Sequence, residues 1–192
     1  MLVSLPSLIL GARGGNVVSF PTDTVPALAV QPEYGTKIYQ CKQRPPNKPL
    51  ILMAANLGAF LPWIAPGSTI PWEDLAHQHW PGALTIVVPA SERVTTAINP
   101  ENTGTIGLRI PNHPIALSVL QQTGILATTS ANYSGADPLL TGEAINATFP
   151  DVYVWNGVYQ GSGQPSTVVT WQDGNWHILR QGAVQLEQFT AS

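Results

Sequence analysis

Proline and glycine cut this chain into short lengths, and that punctuation restricts it to small elements packed around a common sheet. The 192 residues include 18 prolines and 17 glycines. Pro21 stops the apolar run Val17-Val18-Ser19-Phe20, and Pro111 stops Gly107-Leu108-Arg109-Ile110. A helical stretch from Thr36 to Cys41 cannot run far past Gln43, because Pro45 pushes Arg44 out of the α region and Pro46 removes a further amide donor. Lys42 to Lys48 therefore reads as a helix exit followed by a turn.

The remaining pattern follows the same rule. Residues 5–13 predict a short helix closed by Gly14-Gly15, residues 73–79 a second, residues 115–122 a third stopped by Gly124, and residues 144–149 a fourth. Strands are expected at 17–20, 50–54, 84–88 (after the turn Trp80-Pro81-Gly82), 107–110, 126–129, 152–155 and 167–171. Asp173-Gly174 marks a hairpin into 176–179. Strands interspersed with helices and ending in a hairpin predict an α/β domain with a mixed sheet. The length, the absence of repeats or linkers and a 44% hydrophobic content predict one domain over 1–192.

Charge is scarce, and so informative. Only 10% of residues are charged, against roughly 25% in ordinary globular chains, and the net charge is -3. That balance argues against a broad basic face for nucleic acid but leaves room for a local basic cleft. Cys41 is the single cysteine, so no intrachain disulfide or cysteine-rich zinc site can form, as fits a reducing compartment. The apolar start lacks a charged leader region, and no stretch approaches the roughly 20 apolar residues of a membrane span. A cytoplasmic protein without membrane attachment is expected.

The eight basic side chains are Arg13, Lys37, Lys42, Arg44, Lys48, Arg93, Arg109 and Arg180. Lys42 and Arg44 would point about 200° apart on a continuous helix, whereas the proline-enforced turn can aim both at one target. Taken alone, the segment reads rather as a solvated charged turn, and only the company of other polar loops favours a site. Two hydroxyl-rich loops, Pro21-Thr22-Asp23-Thr24 and Thr128-Thr129-Ser130-Ala131-Asn132-Tyr133-Ser134-Gly135, each follow an apolar strand. In α/β sheets such loops line the ligand crevice, although Ser, Thr, Asn and Gly also favour plain turns. With Arg and Lys they suit phosphates and a carboxylate, a chemistry of positioning and charge neutralisation. No phosphate-binding P-loop, dinucleotide fingerprint, nucleophile elbow or His-Glu-x-x-His motif is present. His77, His79, His113 and His177 are dispersed, so no metal ligand set is assigned.

Several segments occur in the order of a known family: Ser19-Phe-Pro-Thr-Asp-Thr-Val25, Lys42-Gln-Arg-Pro-Pro-Asn-Lys-Pro-Leu50, Trp80-Pro-Gly-Ala-Leu-Thr85, Leu108-Arg-Ile-Pro-Asn-His-Pro114, Thr128 to Gly135, Ser166-Thr-Val-Val169 and Arg180-Gln-Gly182. Together they resemble the YrdC/TsaC family of threonylcarbamoyl-AMP synthases from about residue 5 to 183, in its short form without an additional C-terminal domain. Pro26-Ala27, Ala29 and Thr170 depart from the family's usual Tyr-Gly, Gly and Asp.

The resemblance implies a twisted, mixed open sheet around a positively lined concave cavity. It also implies a nucleotidyltransferase that makes threonylcarbamoyl-AMP and pyrophosphate from L-threonine, bicarbonate or CO₂, and ATP with Mg²⁺, for the t⁶A modification of tRNA. Lys42 and Arg44 would then hold ATP phosphates as the catalytic cations, with Arg109 and Arg180 completing the lining and Ser130 and Asn132 contacting the nucleotide. Thr22, Thr24, Lys48 and Ser166 would serve threonine or phosphate. The downstream t⁶A transfer machinery and tRNA are the implied partners. The alternative is a divergent, non-catalytic member that binds nucleotide or double-stranded or structured RNA through the same cleft.

Overall fold

The computed structural model describes residues 1–186; the final six residues of the expected 1–192 unit lie outside the described residues. In chain order the elements are β1 (Leu2–Val3), α1 (Leu5–Arg13), β2 (Val18–Phe20), β3 (Ala27–Val30), α2 (Thr36–Lys42), β4 (Ile51–Met53), α3 (Trp72–His79), β5 (Leu84–Pro89), β6 (Thr105–Arg109), α4 (Pro114–Thr123), β7 (Leu126–Ser130), α5 (Gly142–Thr148), β8 (Tyr153–Trp155), β9 (Thr167–Gln172) and β10 (Asn175–Arg180). Short 3₁₀ turns occupy Pro32–Tyr34 and Leu57–Trp63.

The helices start and stop for local reasons. Ser4 and Thr141 cap α1 and α5 by accepting from the Ser7 and Ala144 amides, and Pro114 opens α4 behind the capping ring of His113. At the end of α2, Gln43 takes a left-handed conformation at φ 51°, and its amide donates back to the Gln40 carbonyl. Pro45 and Pro46 then prevent the helix from resuming.

One mixed sheet carries the strands in the order β1-β8-β2-β3-β7-β4-β6-β5-β9-β10. β1/β8, β8/β2, β4/β6 and β5/β9 run parallel, and the other five pairs are antiparallel. The expected mixed α/β class is observed. Both faces are covered: Leu28, Val30, Leu52, Phe60, Leu84 and Ile86 pack on one side, and Leu8, Val18, Phe20, Ala29, Met53 and Leu120 on the other. Full burial of the larger of these side chains, Ala29 excepted, contributes about 1.5–3 kcal/mol each.

β3 is absent from the sequence-based expectation and is central. Its four residues are all buried; Leu28 and Val30 join one core layer while Ala27 and Ala29 join the other, the period of two that a strand requires. Pro26 immediately precedes it, where a missing N–H costs no ladder bond, and its carbonyl accepts from the Ala131 amide at 2.8 Å. The departure at Pro26-Ala27 is thus compatible with the sheet. Ala29, a further departure, pairs with Val18 and Thr128 inside β3, and Thr170 lies in β9 between Val87 and His177.

Candidate functional site

A cavity of about 240 Å³ opens over the middle of the sheet, walled by the ends of β6, β7 and β10, the start of β9 and the loop entering β3. Three guanidinium groups, Arg44, Arg109 and Arg180, line it together with Thr24, Ser130 and Ser166. Each arrives from a different element and is held by its own set of acceptors.

Arg109 ends β6 and is 3% exposed. Its Nε donates to the Gly82 carbonyl at 3.0 Å, Nη1 to Thr24 Oγ1 at 2.8 Å and Nη2 to Asp23 Oδ1 at 2.7 Å. The turn after Trp80 is what brings Gly82 there: the Gly82 amide donates to the Ile110 carbonyl at 2.8 Å.

Hydroxyl stoichiometry fixes the direction of the bonds beyond Arg109. The Thr22 hydroxyl gives its hydrogen to the Val25 carbonyl at 2.7 Å, so in the 3.0 Å contact between Thr22 Oγ1 and Thr24 Oγ1 the donor is Thr24. Thr22 also accepts from the Thr24 amide at 3.2 Å, which uses both its lone pairs. Thr24 Oγ1 receives Arg109 and keeps one lone pair for the cavity it lines. Thr22, expected to serve threonine or phosphate, has its hydroxyl saturated within the loop and lines a neighbouring cavity with Pro21 and Tyr159.

Lys42 is 1% exposed and is not among the cavity-lining residues. Its ammonium donates to the Ser130 carbonyl and, at 3.1 Å, to Asn132 Oδ1. Ser130 Oγ donates to the same Asn132 oxygen at 2.6 Å, and Asn132 Nδ2 reaches the Ala136 carbonyl. Lys42 thus stands behind the wall as a strut for the loop after β7, not in the cavity where phosphates were expected to meet it. Burial, with Arg44 and Lys48 nearby, lowers its pKa to about 7.

Arg44 crosses from the turn after α2, donating to the Lys48 and Pro49 carbonyls at 2.8 and 2.9 Å and to Thr129 Oγ1 at 3.1 Å. Lys48 is exposed, so its contribution to this site is its carbonyl, which anchors Arg44; its side chain does not line the cavity. Arg180 ends β10 and grips Ser166, with Nη2 2.8 Å from the Ser166 carbonyl and 3.3 Å from Oγ. Ser166 Oγ in turn lies 2.8 Å from Thr85 Oγ1.

The trio repels itself. Burial lowers the pKa of all three arginines, and the charge of Arg180 lowers those of Arg44 and Arg109 further, while Asp23 pulls Arg109 back up. Asp23 is the only carboxylate in an ion pair among the described residues. A cavity with three guanidiniums and one acid is charged to receive an anion.

The structure thus brings Thr24, Arg44, Arg109, Ser130, Ser166 and Arg180 into one wall, places Lys42 and Asn132 behind it, and leaves Thr22 saturated and Lys48 outside. Sequence reasoning did not single out Asp23, Thr85 or Thr129. A polar residue inside the apolar run Leu84–Pro89 was the available signal for Thr85; Asp23 stood in a quoted loop without an assigned role. No group of three His, Cys, Asp or Glu that could hold a metal occurs among the described residues. No helix among the described residues is long and apolar enough to cross a membrane.

Fold and site together define an α/β protein with three guanidinium groups converging on a cavity over the centre of a mixed sheet. Residues 12–182 match the family model described as Telomere recombination, which joins Sua5, YciO and YrdC, and the chain belongs to that family. It is 34% identical over 176 residues to the threonylcarbamoyl-AMP synthase of Vibrio parahaemolyticus, covering 88% of this chain and 93% of that relative. It is 32% identical over 190 residues to the threonylcarbamoyl-AMP synthase of Bacillus subtilis, covering 93% of this chain but 53% of that protein. Among solved structures, Sua5 of P. abyssi complexed with L-threonine superposes with a TM-score of 0.81 at 28% identity, over 95% of this chain and 56% of that one. E. coli YciO, at 22% identity, shares the fold with a TM-score of 0.79 over 94% of this chain and 90% of that one. The chain thus spans about half of the Bacillus and P. abyssi proteins and nearly all of the Vibrio one.

Proposed function

We propose that this chain is a threonylcarbamoyl-AMP synthase, a nucleotidyltransferase that joins L-threonine, bicarbonate-derived CO₂ and ATP, releases pyrophosphate and supplies the t⁶A modification of tRNA. The observation that carries the reading is the convergence of Arg44, Arg109 and Arg180 on one cavity with a single balancing carboxylate. The names of the Vibrio and Bacillus relatives and the threonine complex of P. abyssi Sua5 support it.

The reaction demands such a site. The threonine amine adds to CO₂ and loses a proton, giving a carbamate; a carbamate oxygen then attacks the α-phosphorus, and the bond to the pyrophosphate oxygen breaks. Two anions must meet, and at 4 Å each like-charged pair costs about 4 kcal/mol at an effective dielectric constant of 20. Fixed guanidiniums offset that repulsion without reorganising during the step, and the cavity turns an encounter of anions into a positioned pair.

In this reading Arg44 and Arg180 hold phosphates, and Arg109 completes the cationic floor beside Thr24. Ser130 and Ser166 line the nucleotide and substrate positions, and Lys42 acts through Ser130 and Asn132. Magnesium enters as the partner of ATP rather than as a resident ion. The product passes to downstream t⁶A transfer machinery and reaches tRNA in the cytoplasm. Incubation with labelled bicarbonate tests the reaction: a labelled nucleotide that requires both ATP and L-threonine is expected. Its absence from folded protein would contradict the proposal.

A further inference from the structure

We propose that Asp23 is a positioning residue: by gripping Arg109 it holds the Thr24 hydroxyl oxygen toward the cavity as a hydrogen-bond acceptor, so that this point selects an N–H or O–H donor of the amino-acid substrate over a phosphate oxygen. The identity of that substrate rests on the synthase reading; the geometry does not.

A one-way series of bonds carries the inference. The Asp23 carboxylate takes Arg109 Nη2 at 2.7 Å, and Arg109 Nη1 reaches Thr24 Oγ1 at 2.8 Å. Thr24 passes its hydrogen to Thr22 at 3.0 Å, and Thr22 passes its own to the Val25 carbonyl at 2.7 Å. With Arg109 in place and the Thr22 hydrogen committed to Val25, turning the Thr24 hydrogen into the cavity would set lone pair against lone pair across the 3.0 Å contact and leave Thr22 short of a donor. Thr24 therefore accepts from a ligand and does not donate to it. A phosphate oxygen, which has no hydrogen, gains nothing there; an amine or hydroxyl does.

The carboxylate acts on Arg109 rather than on the fold of the loop. Backbone bonds tether that loop independently: the Ser162 amide donates to the Asp23 carbonyl and the Gly163 amide to the Thr24 carbonyl, each at 3.0 Å. The approach is close enough that a Cβ on Gly161 would stand 2.4 Å from the Thr24 oxygen and 2.6 Å from that of Thr22. The second bond to Asp23 Oδ1, from the Asn112 amide at 3.0 Å, needs an oxygen but not a charge. Asp23→Asn can keep these and still weaken the grip on Arg109, which Arg180 repels.

The test compares Asp23→Asn with wild type in steady-state turnover and in arginine side-chain NMR. Losing a charge-assisted hydrogen bond should raise the KM for L-threonine about tenfold or more. The KM for ATP should change by less than about threefold, because Arg44 and Arg180 are untouched. Equal changes in both KM values, or no change in either, would overturn the proposal. Thr24→Val provides a second route: the double variant with Asp23→Asn should be no worse for threonine than Thr24→Val alone, whereas additive losses would contradict the relay. If wild type shows no threonine-dependent turnover, the synthase reading fails and the NMR decides alone. Restricted rotation of the Arg109 guanidinium in wild type, lost in Asp23→Asn while Arg180 is unchanged, supports the proposal; identical Arg109 signals in the two proteins overturn it.

Discussion

The ammonium of Lys42 lies 3.1 Å from the side-chain oxygen of Asn132, ninety residues away in sequence, and the two close the back of the cavity wall. This contact turns a conspicuous basic residue into a support. Its pKa, lowered from 10.5 to about 7, gives it a measurable signature.

Between about pH 7 and 10.5 the unfolded chain binds a proton at Lys42 that the folded chain has released. Stability from this group therefore rises with pH across that window, the penalty for a charged buried lysine being greatest below it. Thermal unfolding of wild type and Lys42→Met, each measured at pH 6.5 and pH 9, should show a pH-dependent gain in wild type that the variant lacks. A difference of about 1 kcal/mol would appear as roughly 2–4 °C.

Arg44 and Arg180 meet the cavity directly, while backbone carbonyls hold their guanidiniums. Replacing either by Ala should lower kcat/KM by about 10²–10³ while the thermal midpoint moves by only a few degrees, as for other preorganised donors. Pyrophosphate release and calorimetry on the same preparations check both halves of this expectation.

Lys48→Ala separates the basic segment into its parts. The exposed side chain is dispensable here, whereas the backbone carbonyl of residue 48, which Arg44 and Tyr39 both use, survives the substitution. Turnover within about twofold of wild type is expected, since surface changes away from contacts have small effects. A loss as large as that of Arg44→Ala would place the ammonium in the site.

Ser19 Oγ is buried in β2 without a hydrogen-bond partner among the described residues. Ser19→Ala removes that unsatisfied group from the interior and should raise stability by about 1 kcal/mol. Denaturant unfolding at unchanged slope would register the gain as a higher midpoint.

Much of this architecture is legible in the chain because its punctuation is local. Gln43 caps α2 and Pro45 and Pro46 keep it from resuming, Gly124 closes α4, and Asp173-Gly174 turns β9 into β10, each signal lying within a few residues of the break it makes. β3 escaped because four consecutive apolar residues carry no visible alternation; only the sheet assigns Leu28 and Ala29 to opposite layers. The site divides the same way. Its residue types, Arg with hydroxyl loops after strands, announce an anion cavity. Which hydroxyl is free, which cation is exposed and which acid restrains it depend on distances between Thr22, Thr24, Asp23 and Arg109 that arise only when β6 and the loop before β3 are brought together.

The most direct test of the account is pyrophosphate release from ATP, with L-threonine and bicarbonate added singly and together. Release that requires both, and that falls about a hundredfold or more in Arg180→Ala, is the predicted result. Release that ignores threonine, or none from well-folded protein, would contradict the assignment of the three-arginine cavity to threonylcarbamoyl-AMP synthesis.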